Sequence, residues 1–163
     1  MSNRSWTALL KQVIGPKNRP SSRIAIVGIG HELRGDDAVG IIVARRLQAA
    51  SSATRLVVDA GPAPENFTGL LRAFAPDLLL LVDAAQMDEP PGTIRLLKLD
   101  AAQPSSMTTH TLSPHLLANY LQATLGCDIW LLGIQPAQDS FGAGLSSAVE
   151  HSVEQIVRAF ENA

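Results

Sequence analysis

The sequence is short of the features that would send a chain outside the cell, into a bilayer or onto nucleic acid. It holds a single cysteine, Cys127, in 163 residues, which excludes a disulfide framework and any multi-cysteine zinc or iron–sulfur centre within the chain and points to the cytoplasm. Basic residues are not in excess, with 13 Lys and Arg against 15 Asp and Glu and a formal net charge of -2. Nucleic acid is therefore not an expected partner, because neutralising phosphates takes a basic stripe. Membrane insertion is not expected either: the longest apolar run, "LLLLV" at 78–82, falls far short of the roughly 20 residues a spanning helix needs. Near the N-terminus Lys11 and Gln12 interrupt the apolar patch and no small-residue cleavage site follows, which argues against a secretory signal. There is no H-E-x-x-H of a zincin and no G-x-S-x-G nucleophile elbow.

What is present is the composition of one globular domain, 46% hydrophobic and 17% charged. Trp6, Leu9, Leu10, Val13 and Ile14 recur at helical spacing before Gly15-Pro16, and Lys17 to Ser22 reads as a linker. Residues 1–22 are thus expected to form an extension, and 23–163 a single domain. Within it "RIAIVGIG" (23–30), "RLVVDAG" (55–61), "DLLLLVDA" (77–84) and "DIWLLGIQP" (128–136) are short apolar runs of buried-strand type, with "TIRLLKL" (93–99) as an edge strand. Helical patterns alternate with them at 36–47, 64–74 and 113–126, with Arg45 and Arg46 on the polar side of the first. A final helix carries Val149, Val153, Ile156, Val157 and Phe160 on one face, with Ser147 and Glu150 as its expected capping box and His151 on its surface. The alternation predicts an α/β fold, a three-layer α/β/α sandwich whose mostly parallel central sheet has four to five strands and whose ligand site lies at the strands' carboxyl ends.

The chemistry concentrates there. "VGIGHELRGDDAVG" (27–40) begins like a nucleotide-binding loop, yet Gly35 falls two positions late for the dinucleotide fingerprint, and Asp36 and Asp37 occupy the helix start where a phosphate would want free N–H donors. A cap and a cation ligand are both open readings of this acid pair. Two further acids, Asp59 and Asp83, close the second and third strands. Asp59 precedes a turn and reads as a cap, whereas Asp83 follows "LLLLV", where a lone carboxylate needs a partner charge. "MTTHTLSP" (107–114) supplies His110, and His115 follows five residues later. Two carboxylates and one imidazole suit a first-row divalent ion with open positions. Cys127, after Gly126 and before a strand, reads as a small hydrophobe rather than a nucleophile.

Taken together, "GIGHELRGDDAVG", "VVDAGPAPEN", "LLLLVDA", "MTTHTLSP" and "LLGIQP" resemble the [NiFe]-hydrogenase maturation proteases, in particular the branch serving the hydrogenase-3 type of formate hydrogenlyase. The resemblance covers about residues 23 to 160. It implies a cytoplasmic endopeptidase that removes a C-terminal extension from the hydrogenase large-subunit precursor once nickel is inserted, the nickel being supplied by that substrate protein. It places the catalytic, metal-contacting trio at Asp37, Asp83 and His110, with His115, in a Ser-Pro-His context, as the alternate for the last. Asp36, Asp59 and Gly61 also match family positions, Asp36 as a cap or as support for the ligands. Two rivals stand beside this reading: a non-catalytic nickel-sensing chaperone module, and a nucleotide enzyme on a similar sheet.

Overall fold

Strands Ile24–Ile29 (β1), Arg55–Gly61 (β2), Leu78–Ala84 (β3), Ile94–Lys98 (β4) and Asp128–Ile134 (β5) form one sheet in the order β2-β1-β3-β5-β4, parallel except for β4. The structure, a computed structural model, describes residues 5–15, 22–99 and 114–163. Among the described residues five α-helices cover the sheet: Trp6–Ile14 (α1), Val39–Leu47 (α2), Thr68–Phe74 (α3), Pro114–Leu125 (α4) and Ser147–Glu161 (α5). The four apolar runs with little polar alternation are the four parallel strands, because only strands covered on both faces can be apolar at successive positions. The edge strand β4 instead alternates, with Ile94 and Leu96 buried and Arg95 and Lys98 exposed.

Side-chain parity sorts the core into two layers. Ile24, Ile26, Leu78, Leu80 and Val82 pack with Leu10 of α1, Val39 and Val43 of α2, and Val153 and Ile156 of α5. Ala25, Val27, Ile29, Leu79 and Leu81 pack on the opposite face with Leu71 of α3 and Ala118 and Leu121 of α4. Helix α1 thus contributes Leu10 and Ile14 to the same cluster as the sheet.

Three starts differ from the sequence reading, one of them the helix expected from Pro64, which opens as a 3-10 turn, Pro64–Phe67, and becomes α-helical at Thr68. The helix expected from Asp36 opens as a 3-10 turn, Gly35–Ala38, and becomes α-helical only at Val39. The last helix is capped by Ser146, whose Oγ accepts from Val149 N, so the Ser147–Glu150 box is off by one residue. Glycine serves close approach here: a Cβ on Gly40 would lie 2.1 Å from Val82 O and 2.2 Å from Ile29 O. A Cβ on Gly28 would meet Gly40 O at 2.1 Å, so this pair lets α2 sit against β1 and β3.

Candidate functional site

The chain leaves β1, turns through Gly35–Ala38 into α2 and builds β2 on one side, then crosses to build β3 on the other side of β1. The order in which strands are added therefore reverses between β1 and β3, which themselves run parallel, and in open α/β sheets the crevice outside such a reversal is where ligands bind. Asp37 stands in the turn after β1 and Asp83 near the end of β3, and the turn packs against β3. Their relative exposures are 3% and 2%, so both carboxylates are buried at the one place the topology reserves for a ligand.

Asp36, adjacent to Asp37, has a different task. Its carboxylate accepts from Ala137 N (2.8 Å), Gln138 N (3.2 Å), Ser146 N (2.7 Å) and Ser146 Oγ (2.8 Å), and its own N–H donates to Gln138 O. It caps neither the 3-10 turn nor α2; it ties that turn to the loop between β5 and α5. Gly35, at φ +51, makes room for this junction, since a Cβ there would lie 2.3 Å from Gln138 Oε1. The His31 N–H closes the loop by donating to the Asp37 main-chain carbonyl at 3.2 Å.

Asp59 ends up elsewhere. Register places it level with Gly28 and hence with Val82, one residue short of Asp83. In-register neighbours share a face and successive residues alternate, so Asp59 faces the α2 layer and Asp83 the α3–α4 layer. On its face Arg45 takes it, with Nε at 2.9 Å, while Arg45 Nη1 holds Glu32 at 2.7 Å. Hydrogen bonding and the charge of Arg45 hold the Glu32 carboxyl below its usual range, and the two acids push the Arg45 guanidinium up.

The third expected ligand, His110, lies outside the described residues; so does the rest of the segment 100–113. That segment runs into α4, which packs on the face Asp83 belongs to by parity. His115 is the second residue of α4. Among the described residues, no three His, Cys, Asp or Glu side chains gather as a metal-holding group. The donors in place are two carboxylates, a set that a divalent cation can use and a phosphate cannot.

Gln135 is the site-edge residue that sequence reasoning left without a role. It is 5% exposed; its Oε1 accepts from Met87 N (2.7 Å) and Glu89 N (3.4 Å), and its Nε2 donates to Gln86 Oε1 (2.9 Å). It thereby fixes the chain just beyond Asp83. The available signal was a polar residue directly after the apolar run of β5, the same signal that singled out Asp83. Cys127 is buried, and burial pushes its thiol up, as for an inert core cysteine. His151 is exposed on α5.

Known proteins resemble this chain in sequence and fold. A family model described as HycI, hydrogenase maturation protease, matches residues 41–163. The hydrogenase 3 maturation protease of Escherichia coli K12 is 34% identical over 134 residues, spanning 82% of this chain and 85% of that protein. The crystal structure of a [NiFe] hydrogenase maturation protease HycI from Thermococcus kodakarensis superposes with a TM-score of 0.82 at 30% identity, covering 94% of this chain and 97% of that one. The solution structure of the endopeptidase HycI from Escherichia coli gives 0.72 at 31% identity, over 83% and 87% of the two chains.

Proposed function

The chain belongs to the hydrogenase maturation protease family, and we propose that it is the endopeptidase that trims the C-terminal extension of a [NiFe]-hydrogenase large-subunit precursor after nickel has been inserted. The observation that carries this reading is the pair of buried carboxylates, Asp37 and Asp83, at the β1/β3 reversal. Nickel belongs to the substrate in this scheme. Asp37, Asp83 and His110 contact the nickel centre of the precursor, which registers that insertion has occurred and brings the adjoining peptide to the sheet edge in a fixed orientation. His115 is the alternate imidazole. Hydrolysis then adds water across the amide: a carboxylate at this edge takes one proton from the attacking water and returns it to the departing nitrogen as the C–N bond breaks.

No helix among the described residues is long and apolar enough to cross a membrane.

The test is a cleavage assay on nickel-loaded and nickel-free precursor with wild type and Asp37→Asn, reading the released C-terminal peptide by mass spectrometry. Release from the nickel-loaded form alone is expected from wild type. Asp37→Asn, with an unchanged far-ultraviolet spectrum, is expected to lose more than the roughly 10–100-fold that changes outside a metal's direct contacts typically cost. Wild type that binds the nickel-loaded precursor and releases nothing would replace the protease by a nickel-sensing chaperone.

A further inference from the structure

Phe141 is 73% exposed and Leu33 53% exposed, and the two stand on neighbouring backbone. Arg34 and Phe141 form an isolated antiparallel bridge, and Gly142 N donates to Leu33 O at 2.7 Å. This short ribbon is part of the site's own framework. One end continues into the Asp36–Asp37 turn, and the other belongs to the 137–146 loop that Asp36 grips through Ala137, Gln138 and Ser146. Gln138 stiffens that loop from within, its Nε2 donating to Gly144 O at 2.9 Å and its Oε1 accepting from Ser140 N at 2.8 Å.

Single exposed apolar residues are ordinary on a protein surface. Here a phenylalanine and a leucine are held in water by a hydrogen-bonded ribbon beside a proteolytic edge, and that edge must be covered by a protein whenever the enzyme works. Aromatic side chains presented on a rigid support are the usual energetic centres of such contacts, because little freedom is lost when they are buried. We propose that the ribbon formed by residues 33–34 and 141–142 is the docking element that seats the precursor on the Asp37–Asp83 edge, with Phe141 as its anchor in an apolar recess of that precursor. The inference rests on the proteolytic reading above. Phe141 takes no part in the chemistry; it acts on how tightly the substrate is held.

The experiment measures kcat and KM for release of the C-terminal peptide from nickel-loaded precursor, using the full chain as wild type, Phe141→Ala, Phe141→Leu and Leu33→Ala, with thermal melting as the check on folding. Phe141→Ala is expected to raise KM at least about tenfold with kcat within about twofold and an unchanged melt, as befits a binding contact made equally before and during reaction. Phe141→Leu is expected to recover most of the loss, and Leu33→Ala to raise KM in the same sense by a smaller factor. A wild-type KM in Phe141→Ala, or a fall in kcat with KM unchanged, overturns the docking role and leaves the protease intact. Failure of wild type itself to release the peptide from any nickel-loaded large-subunit precursor of the source organism overturns the proteolytic reading, and the docking role with it.

Discussion

Asp36 and Ser146 are 110 residues apart in the chain and joined by two hydrogen bonds, from Ser146 N to Oδ1 at 2.7 Å and from Ser146 Oγ to Oδ2 at 2.8 Å. Ser146 is also the N-cap of α5, so one buried carboxylate couples the turn carrying Asp37 to the start of the last helix. Removing it strands several donors in an interior where each must find a partner. Asp36→Ala is expected to lower unfolding stability by about 3 kcal/mol in urea titration, and Asp36→Asn by less because it keeps one accepting oxygen. A value for Asp36→Ala within about 0.5 kcal/mol of wild type, the scale of an ordinary surface change, would remove the staple from this account.

Asp59 and Asp83 both close apolar strands, and the sheet separates them by face. Asp59→Asn loosens an exposed ion pair with Arg45 and is expected to leave precursor cleavage within about threefold of wild type, in line with the small worth of surface pairs. Asp83→Asn is expected to lose cleavage as Asp37→Asn does. Equal losses from Asp59→Asn and Asp83→Asn in the peptide-release assay would mean that parity does not sort these acids by function.

Gly40→Ala places a methyl 2.1 Å from Val82 O and 2.2 Å from Ile29 O. Alanine is the better helix former by about 1 kcal/mol, yet α2 would have to move off two strands, and overpacking of that kind typically costs about 1–3 kcal/mol. We expect a net destabilisation of about 1 kcal/mol by thermal or urea unfolding; a stabilised variant would show that α2 is free to shift.

Glu32 is held below its usual range, first by the hydrogen bond from Arg45 and then by its charge. A carboxyl depressed in the folded state adds stability above its unfolded value, about 4.3, and that stability is lost as pH falls through the lower folded value. Glu32→Gln should therefore lie below wild type in stability at pH 7, with the gap closing under acid and narrowing in high salt. A gap of constant size from pH 7 to pH 3 would contradict the pairing.

Leu10 of α1 is fully buried in the cluster shared with β1, β3 and α5. Leu10→Ala is expected to cost about 3 kcal/mol, as for other buried leucines, and to do so in a single cooperative transition. A wild-type urea midpoint would mark α1 as an appendage that the sheet does not need.

The four parallel strands and the helix stripes were legible because burial on two faces or on one stripe writes itself into local spacing. "LLLLVDA" could be little other than a central strand, and Val149 to Phe160 fall on one face of α5 as the spacing requires. On α2 the buried stripe takes in Ile41, whereas Ile42 is only partly buried. The acids were legible as residues of interest, but their assignments were not. Local spacing cannot say which layer each face of the sheet receives: it made Asp59 a cap before a turn, whereas register puts Arg45 over Asp59 and the α3–α4 layer over Asp83. Asp36 looked like a helix cap because an acid at a helix start ordinarily is one, and its partners lie some hundred residues away. Periodicity is carried by neighbours along the chain; a hydrogen bond from Ser146 to Asp36 exists only because the parallel strands deliver β1 and β5 to the same edge.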